Sequence, residues 1–254
     1  MKKILLPIFL LVFLSACSGI VKKTSLENEN LNGKVKIVKE AEYEAVEKFG
    51  EITKGEVSDW VLPTTRVYNE KGNRIEQIHY DSDGSLSSKY VYKYDEKENQ
   101  IEVSVYDFDG SLYSKWDGKY DEKGNMTEQT QYDADGSLRS KWLHKYNEKG
   151  NVIEVSVYNS DGSLDSKWAY KYDKKGNVIE MSLYNSDDSL DDKWAFKYDE
   201  RGNRIEVSSY NSNGNLEDVA TYKYEYDEKN NWTTKIEYKK SIPKTITIRE
   251  IEYY

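Results

Sequence analysis

Four tryptophans recur at a fixed step of 26 residues, Trp116, Trp142, Trp168 and Trp194, and Tyr90 stands one step before them. Rings in such a row form a stacking surface for sugar rings or peptide side chains when exposed, and cross-strand packing when buried. A second row, Asp81-Ser82-Asp83-Gly84-Ser85, Asp107-Phe108-Asp109-Gly110-Ser111 and Asp133-Ala134-Asp135-Gly136-Ser137, has the oxygen spacing that opens a calcium loop. A calcium loop needs six or more oxygens and a distal bidentate Glu, whereas Leu86, Leu112 and Leu138 begin an apolar segment at once. Turn chemistry explains the same residues, since Asp and Asn cap turns and Gly supplies positive φ, so no metal ligand is assigned. His79 and His144 stand in different columns, away from any nucleophile, and Glu102, Glu128, Glu154, Glu180 and Glu206 read as a solvated face, not as an acid/base pair. Neither a glycine-rich phosphate loop nor zinc spacing is present. The reading is a non-enzyme with no catalytic residue and no cofactor.

The elements that carry these rows follow from the same repeat. Tyr-Asp/Asn-x-x-Gly-Asn begins at Tyr68, Tyr120, Tyr146, Tyr172 and Tyr198, with a variant at Tyr94; Tyr-Asp/Asn-x-Asp-Gly-Ser-Leu begins at Tyr80, Tyr106, Tyr132 and Tyr158. Between them the periodicity is two: Ile153, Val155 and Val157 alternate with polar residues, as do Leu164, Ser166, Trp168 and Tyr170. Each unit is therefore two strands and two turns, and the fold class is all-β. The turns at Gly162 and Gly176 fit a type I turn closed by a left-handed glycine bulge, which sets Tyr158 opposite Leu164 and Tyr172 opposite Val178. Continued along the strands, that register puts Glu154 and Ser156 on the face of Trp168, and Val155 and Val157 on the face of Lys167. Members of a column would lie roughly 10 Å apart. The expected architecture is a long antiparallel meander, either a twisted single-layer sheet or a sheet coiling into a spiral or shell.

Residues 1–16 read as a signal peptide: Lys2 and Lys3, an apolar run from Ile4 to Leu14, then small residues. Leu14-Ser15-Ala16-Cys17 resembles the lipobox of bacterial lipoproteins, which implies cleavage before Cys17, lipidation of Cys17 and attachment to the membrane. Ser18 after it is compatible, by the same resemblance, with the outer membrane. Residues 17–33 read as the lipidated start and a flexible tether, 34–67 as a degenerate opening β unit, 68–225 as the regular repeats and 226–254 as closing strands. With no second cysteine, disulfides are excluded. Loss of Lys2 and Lys3 takes the net charge from −9 to −11, which argues against nucleic acid or anionic lipid as the main partner, because both reward basic patches.

The motif Tyr-Asp-x-x-Gly-Asn, as at Tyr120-Asp121, Tyr172-Asp173 and Tyr198-Asp199, resembles the YD (rearrangement-hotspot, RHS) repeat family. The resemblance implies a long antiparallel β array that binds or encases other molecules. The functional expectation is an envelope lipoprotein whose array binds a carbohydrate or a peptide or protein through Trp116, Trp142, Trp168, Trp194 and Tyr90. A scaffold or envelope spacer with no soluble ligand comes second, and a hydrolase last.

Overall fold

The computed structural model describes residues 23–58 and 61–254. A short helix, α1 (Ser25–Asn28), precedes the strands β1 (Val35–Lys48), β2 (Glu51–Val57), β3 (Thr64–Tyr68), β4 (Arg74–Tyr80), β5 (Leu86–Tyr94), β6 (Gln100–Asp107), β7 (Leu112–Tyr120), β8 (Met126–Asp133), β9 (Leu138–Tyr146), β10 (Val152–Asn159), β11 (Leu164–Tyr172), β12 (Val178–Asn185), β13 (Leu190–Tyr198), β14 (Arg204–Tyr210), β15 (Leu216–Tyr226), β16 (Trp232–Lys239) and β17 (Ile242–Tyr253). From β3 onward each strand pairs antiparallel with the next, as a meander requires.

The meander does not stay open, nor does it coil into a spiral or shell. β1 pairs along one edge with β17, from Val35↔Tyr253 to Glu44↔Thr245, and along the other with β3, from Ile37↔Val67 to Glu40↔Thr64. One strand thus joins the two ends of the repeat, and the sheet closes into a 16-stranded barrel. β2 lies outside that ring, paired with the far half of β1 at Ala45↔Lys54 through Lys48↔Glu51. Closure removes the two free edges that an open sheet of this length would expose.

The turns take the expected form. Gly162 has φ 84°, its N–H donates to the Asn159 carbonyl at 3.0 Å, and the Asn159 N–H donates to the Ser163 carbonyl at 2.9 Å. The recurring phrase at the other turn also has a physical cause. Asp121 accepts from the N–H groups of Lys123 and Asn125, and its second oxygen accepts from the Asn125 amide at 2.9 Å.

One step past each turn the register shifts by one residue. Tyr158 faces Leu164, but Val157 faces Ser166, leaving Asp165 unpaired; Tyr172 faces Val178, but Lys171 faces Glu180, leaving Ile179 unpaired. This second bulge corrects the face assignment drawn from the turns alone. Val155 pairs with Trp168, while Glu154 pairs with Ala169 and Ser156 with Lys167. Valine and indole therefore share the inner face, and Glu and Lys share the outer one. Bulges also bend and twist a sheet, so a pair of them in every 26 residues supplies the curvature that closure needs.

Five tyrosines that open the Tyr-Asp/Asn-x-x-Gly-Asn phrase or its variant, and Tyr224 near the end of the array, bond back onto the previous unit. The hydroxyls of Tyr94, Tyr120, Tyr146, Tyr172, Tyr198 and Tyr224 donate to the carbonyls of Arg74, Gln100, Met126, Val152, Val178 and Arg204, at 2.6–2.8 Å. These rungs tie alternate hairpins together near one end of the barrel. At that end the chain before β1 is packed, which departs from the tether expected there. Thr24 and Glu27 form a capping box on α1, Leu26 and Leu31 are buried with Val35, Val38 and Tyr68, and Asn30 and Asn32 bond to Asn203 and Asn231. The signal peptide and Cys17 lie outside the described residues.

Replacing Tyr172 with Phe removes one hydrogen bond and leaves the Val152 carbonyl without that donor. The expected loss is about 1 kcal/mol in urea unfolding, with similar losses at Tyr146 and Tyr198. Unchanged stability in all three variants would show that the rungs are ornamental.

Candidate functional site

The inner wall is built from two columns of the repeat. Tyr90, Trp116, Trp142, Trp168 and Trp194 form one, and Tyr92, His144, Tyr170 and Phe196 lie two residues further along the same strands. All face inward, because Tyr90 pairs with Val105, Trp116 with Val103, Trp142 with Val157, Trp168 with Val155 and Trp194 with Met181.

The column is not uniform. Trp168 and Trp194 are 6% and 4% exposed, stack at 5.9 Å between centroids and belong to the main core with Tyr170, Met181, Phe196 and Val207. Trp116, Trp142 and Tyr90 are only half-buried. Trp116 and Trp142 meet edge to face at 5.7 Å, and Tyr90 meets His79 in the same manner at 5.3 Å. Gln131, paired with Trp116, adds a half-buried amide group to this less covered stretch, whereas Gln129, paired with Trp142, is itself buried. Indole and phenol faces beside amides can hold a ligand that has both an apolar face and polar edges.

A charged seam borders this stretch where β1 closes the ring. Glu40 on β1 accepts from Arg66 Nη2 on β3 at 2.7 Å, and from Arg249 Nε and Nη2 on β17 at 3.1 and 2.9 Å. Burial would raise the Glu40 pKa, but Arg66, Arg249 and Lys235 hold it far below the ordinary carboxylate range. Glu29, from the segment after α1, accepts from the Tyr68 hydroxyl at 2.8 Å and lies 3.5 Å from Arg66 Nε and 3.7 Å from Arg74 Nη1. Arg74 lies over the Tyr92 ring at 4.8 Å, and Arg249 lies against Trp232. Arg66 pairs with Gln77, and Gln77 with Tyr90, so the seam and the half-open aromatic stretch are neighbours on one wall.

Sequence reasoning missed this seam. Arg74 and Arg204 occupy the column that holds Gln100, Met126, Val152 and Val178, and that substitution of cation for apolar residue was the available signal. Glu40, Glu42 and Glu44, alternating on β1, were a second one. Nothing local marks Arg249 as the partner of Glu40, since the two meet only through closure.

The outer wall has the opposite character. Lys93 and Lys115 both reach Glu102, at 2.7 and 2.9 Å, and Lys119, Lys145, Lys171 and Lys197 repeat the contact with Glu128, Glu154, Glu180 and Glu206. The Lys93 ammonium, and then Lys115, lower the Glu102 pKa to about 2. Exposed pairs of this kind contribute little stability. The Asp83, Asp109, Asp135 and Asp161 carboxylates each accept from the serine N–H two residues on, at 2.8–2.9 Å, as turn residues do. Among the described residues no group of three or more His, Cys, Asp or Glu is placed to hold a metal.

No known protein family and no curated protein matches the sequence. Among solved structures, a porin-like protein from Bacteroides uniformis is similar over 87% of this chain and 98% of its own, with a TM-score of 0.54 at 12% identity. That likeness is to the fold. A porin-like protein from Bacteroides vulgatus aligns over 88% of this chain and 99% of its own at 11% identity, with a TM-score of 0.43. The TcdB2-TccC3 structure aligns over 72% of this chain and 12% of its own at 15% identity, with a TM-score of 0.29. The last two similarities are too low to bear on the architecture. Barrels immersed in lipid carry an apolar outer band around a polar interior, and the Glu-Lys ribs and the aromatic core reverse that order here.

Two outcomes follow from the geometry. Burial lowers His144 from 6.5 to about 4, and burial followed by Arg66 and Arg74 does the same to His79. The unfolded chain then binds protons in that window that the folded chain refuses, so stability falls as pH drops from 6.5 toward 4. His144→Phe, which copies Phe196 of the same column, should flatten part of that fall in thermal unfolding; an unchanged pH slope would contradict the assignment. Glu40→Ala should cost about 3 kcal/mol by leaving the buried Arg249 without its carboxylate and Arg66 with Glu29 alone, whereas Glu102→Ala on the outer wall should cost less than about 1 kcal/mol. Equal losses in chemical denaturation would mean that the seam is no more critical than the surface.

Proposed function

We propose that this protein is an exported, lipid-anchored barrel of the bacterial envelope that binds a ligand along the half-open part of its inner wall. The observation that carries the reading is the division of the aromatic column: Trp168 and Trp194 are buried in the core, while Tyr90, Trp116 and Trp142 are only half-buried, beside Gln131 and His79. Accessible aromatic faces inside a closed wall are the chemistry of a binding surface for a molecule with an apolar face. The lipobox at Leu14–Cys17 supports attachment through Cys17 and, with Ser18, an outer-membrane address. The charged outer wall supports a barrel that stands in water on its anchor rather than one that crosses the bilayer by its strands. The porin-like neighbour is in keeping with an envelope protein at the level of the fold.

A structural spacer is the second reading, favoured by the burial of Trp168 and Trp194 in the core. Acrylamide quenching of indole fluorescence separates the two. In a Trp60→Phe/Trp232→Phe background, which removes the two indoles outside the column, the binding reading expects a quenchable fraction that disappears on adding Trp116→Phe/Trp142→Phe and persists on adding Trp168→Phe/Trp194→Phe. Protection of all four remaining indoles in that background would favour the spacer.

A further inference from the structure

The seam at β1 carries more positive charge than its own carboxylates neutralise. Arg66, Arg74 and Arg249 converge on Glu29 and Glu40, three cations against two anions in a chain that is acidic as a whole. Arg249 and Arg74 are 8% and 9% exposed, yet Arg249 Nη1 and Arg74 Nε have no hydrogen-bond partner among the described residues. A buried guanidinium with an unmatched N–H is costly, and an oxyanion is the group whose geometry satisfies it. The next acids along the wall do not fill this role. Glu42 bonds to Thr247 one rung away, and burial pushes Glu237 toward its neutral form.

We infer that the Arg66–Arg74–Arg249 cluster is the head-group site for an anionic amphiphile, a carboxylate or phosphate carried on an apolar body that lies on Tyr90, Trp116 and Trp142. The inference rests on the binding reading above and adds the class of ligand. The path from head to body is continuous. Arg74 touches the Tyr92 ring, Tyr92 donates to Gln77 at 3.4 Å, and Gln77 pairs with Tyr90, whose ring meets His79. Glu29 then has a second role: its carboxylate, supplied by the segment packed over the barrel end, is the resident anion on Arg66 and Arg74. An incoming head group competes with it for those two residues.

The competition predicts variants of opposite sign, which a merely structural role would not produce. Decyl phosphate, titrated below its micellar concentration against the purified full chain at fixed ionic strength, should bind in calorimetry. Glu29→Gln keeps an acceptor for the Tyr68 hydroxyl but removes the competing charge, so binding should tighten several-fold. Arg249→Lys keeps the charge but loses the guanidinium fork, so binding should weaken by about tenfold. Decanol and inorganic phosphate are the comparison ligands. Decanol binding as tightly as decyl phosphate would overturn the anionic head while leaving the binding reading intact. Inorganic phosphate binding as tightly would identify a free anion as occupant and overturn the amphiphile. Weaker binding in Glu29→Gln, or no binding by decyl phosphate, would also overturn it, and if decanol fails too the binding reading falls with it.

Discussion

A single unpaired residue just beyond each turn governs this molecule. Because side chains alternate across a sheet, a one-residue shift sends every later side chain to the opposite face. The bulges at Asp165 and Ile179, and their equivalents in the other units, move valine onto the tryptophan side and glutamate onto the lysine side. Without them each face would be half apolar and half charged, and neither could be buried. With them the sheet has one face to enclose and one to wet, and the local bending that a bulge imposes turns the wet face outward.

Closure then concentrates the demanding interactions in one place. Along most of the ring the inner wall is aromatic and aliphatic and the outer wall is a lattice of exposed ion pairs, each weak. At β1, which belongs to no repeat, Glu40 meets arginines from both flanking strands, and the segment after α1 adds Glu29. The strand that joins the ends of the array is thus the strand with the buried charges. The proposed binding surface follows the same division: Tyr90, Trp116 and Trp142 are only half-buried, on the side of the barrel that adjoins these charges.

Much of the fold is legible in the sequence because the repeat states it many times. Period-two alternation, Gly at the positive-φ position and the Asp-Gly and Gly-Asn phrases define strands and turns down to the pairing of Tyr158 with Leu164. The second bulge is not marked by Gly or Pro. Asp165 and Ile179 are ordinary strand residues, and only the burial of Val155 against Trp168 decides between the two registers. Closure was illegible for another reason. It depends on residues 35–44 pairing with residues more than two hundred positions away, and nothing in the repeat specifies that contact. The charged seam inherits this opacity, since Glu40 and Arg249 are neighbours only in a closed ring.

The closed ring is therefore the claim on which the rest depends, and Lys39 tests it directly because it pairs with Thr65 on β3 and with Glu250 on β17. In a Cys17→Ser background, Lys39→Cys combined with Thr65→Cys, and separately with Glu250→Cys, would be oxidised and analysed by mass spectrometry. A barrel closed by β1 predicts that both pairs crosslink within one chain. Crosslinking of one pair and not the other would mean an open sheet, and the enclosed aromatic wall would not exist.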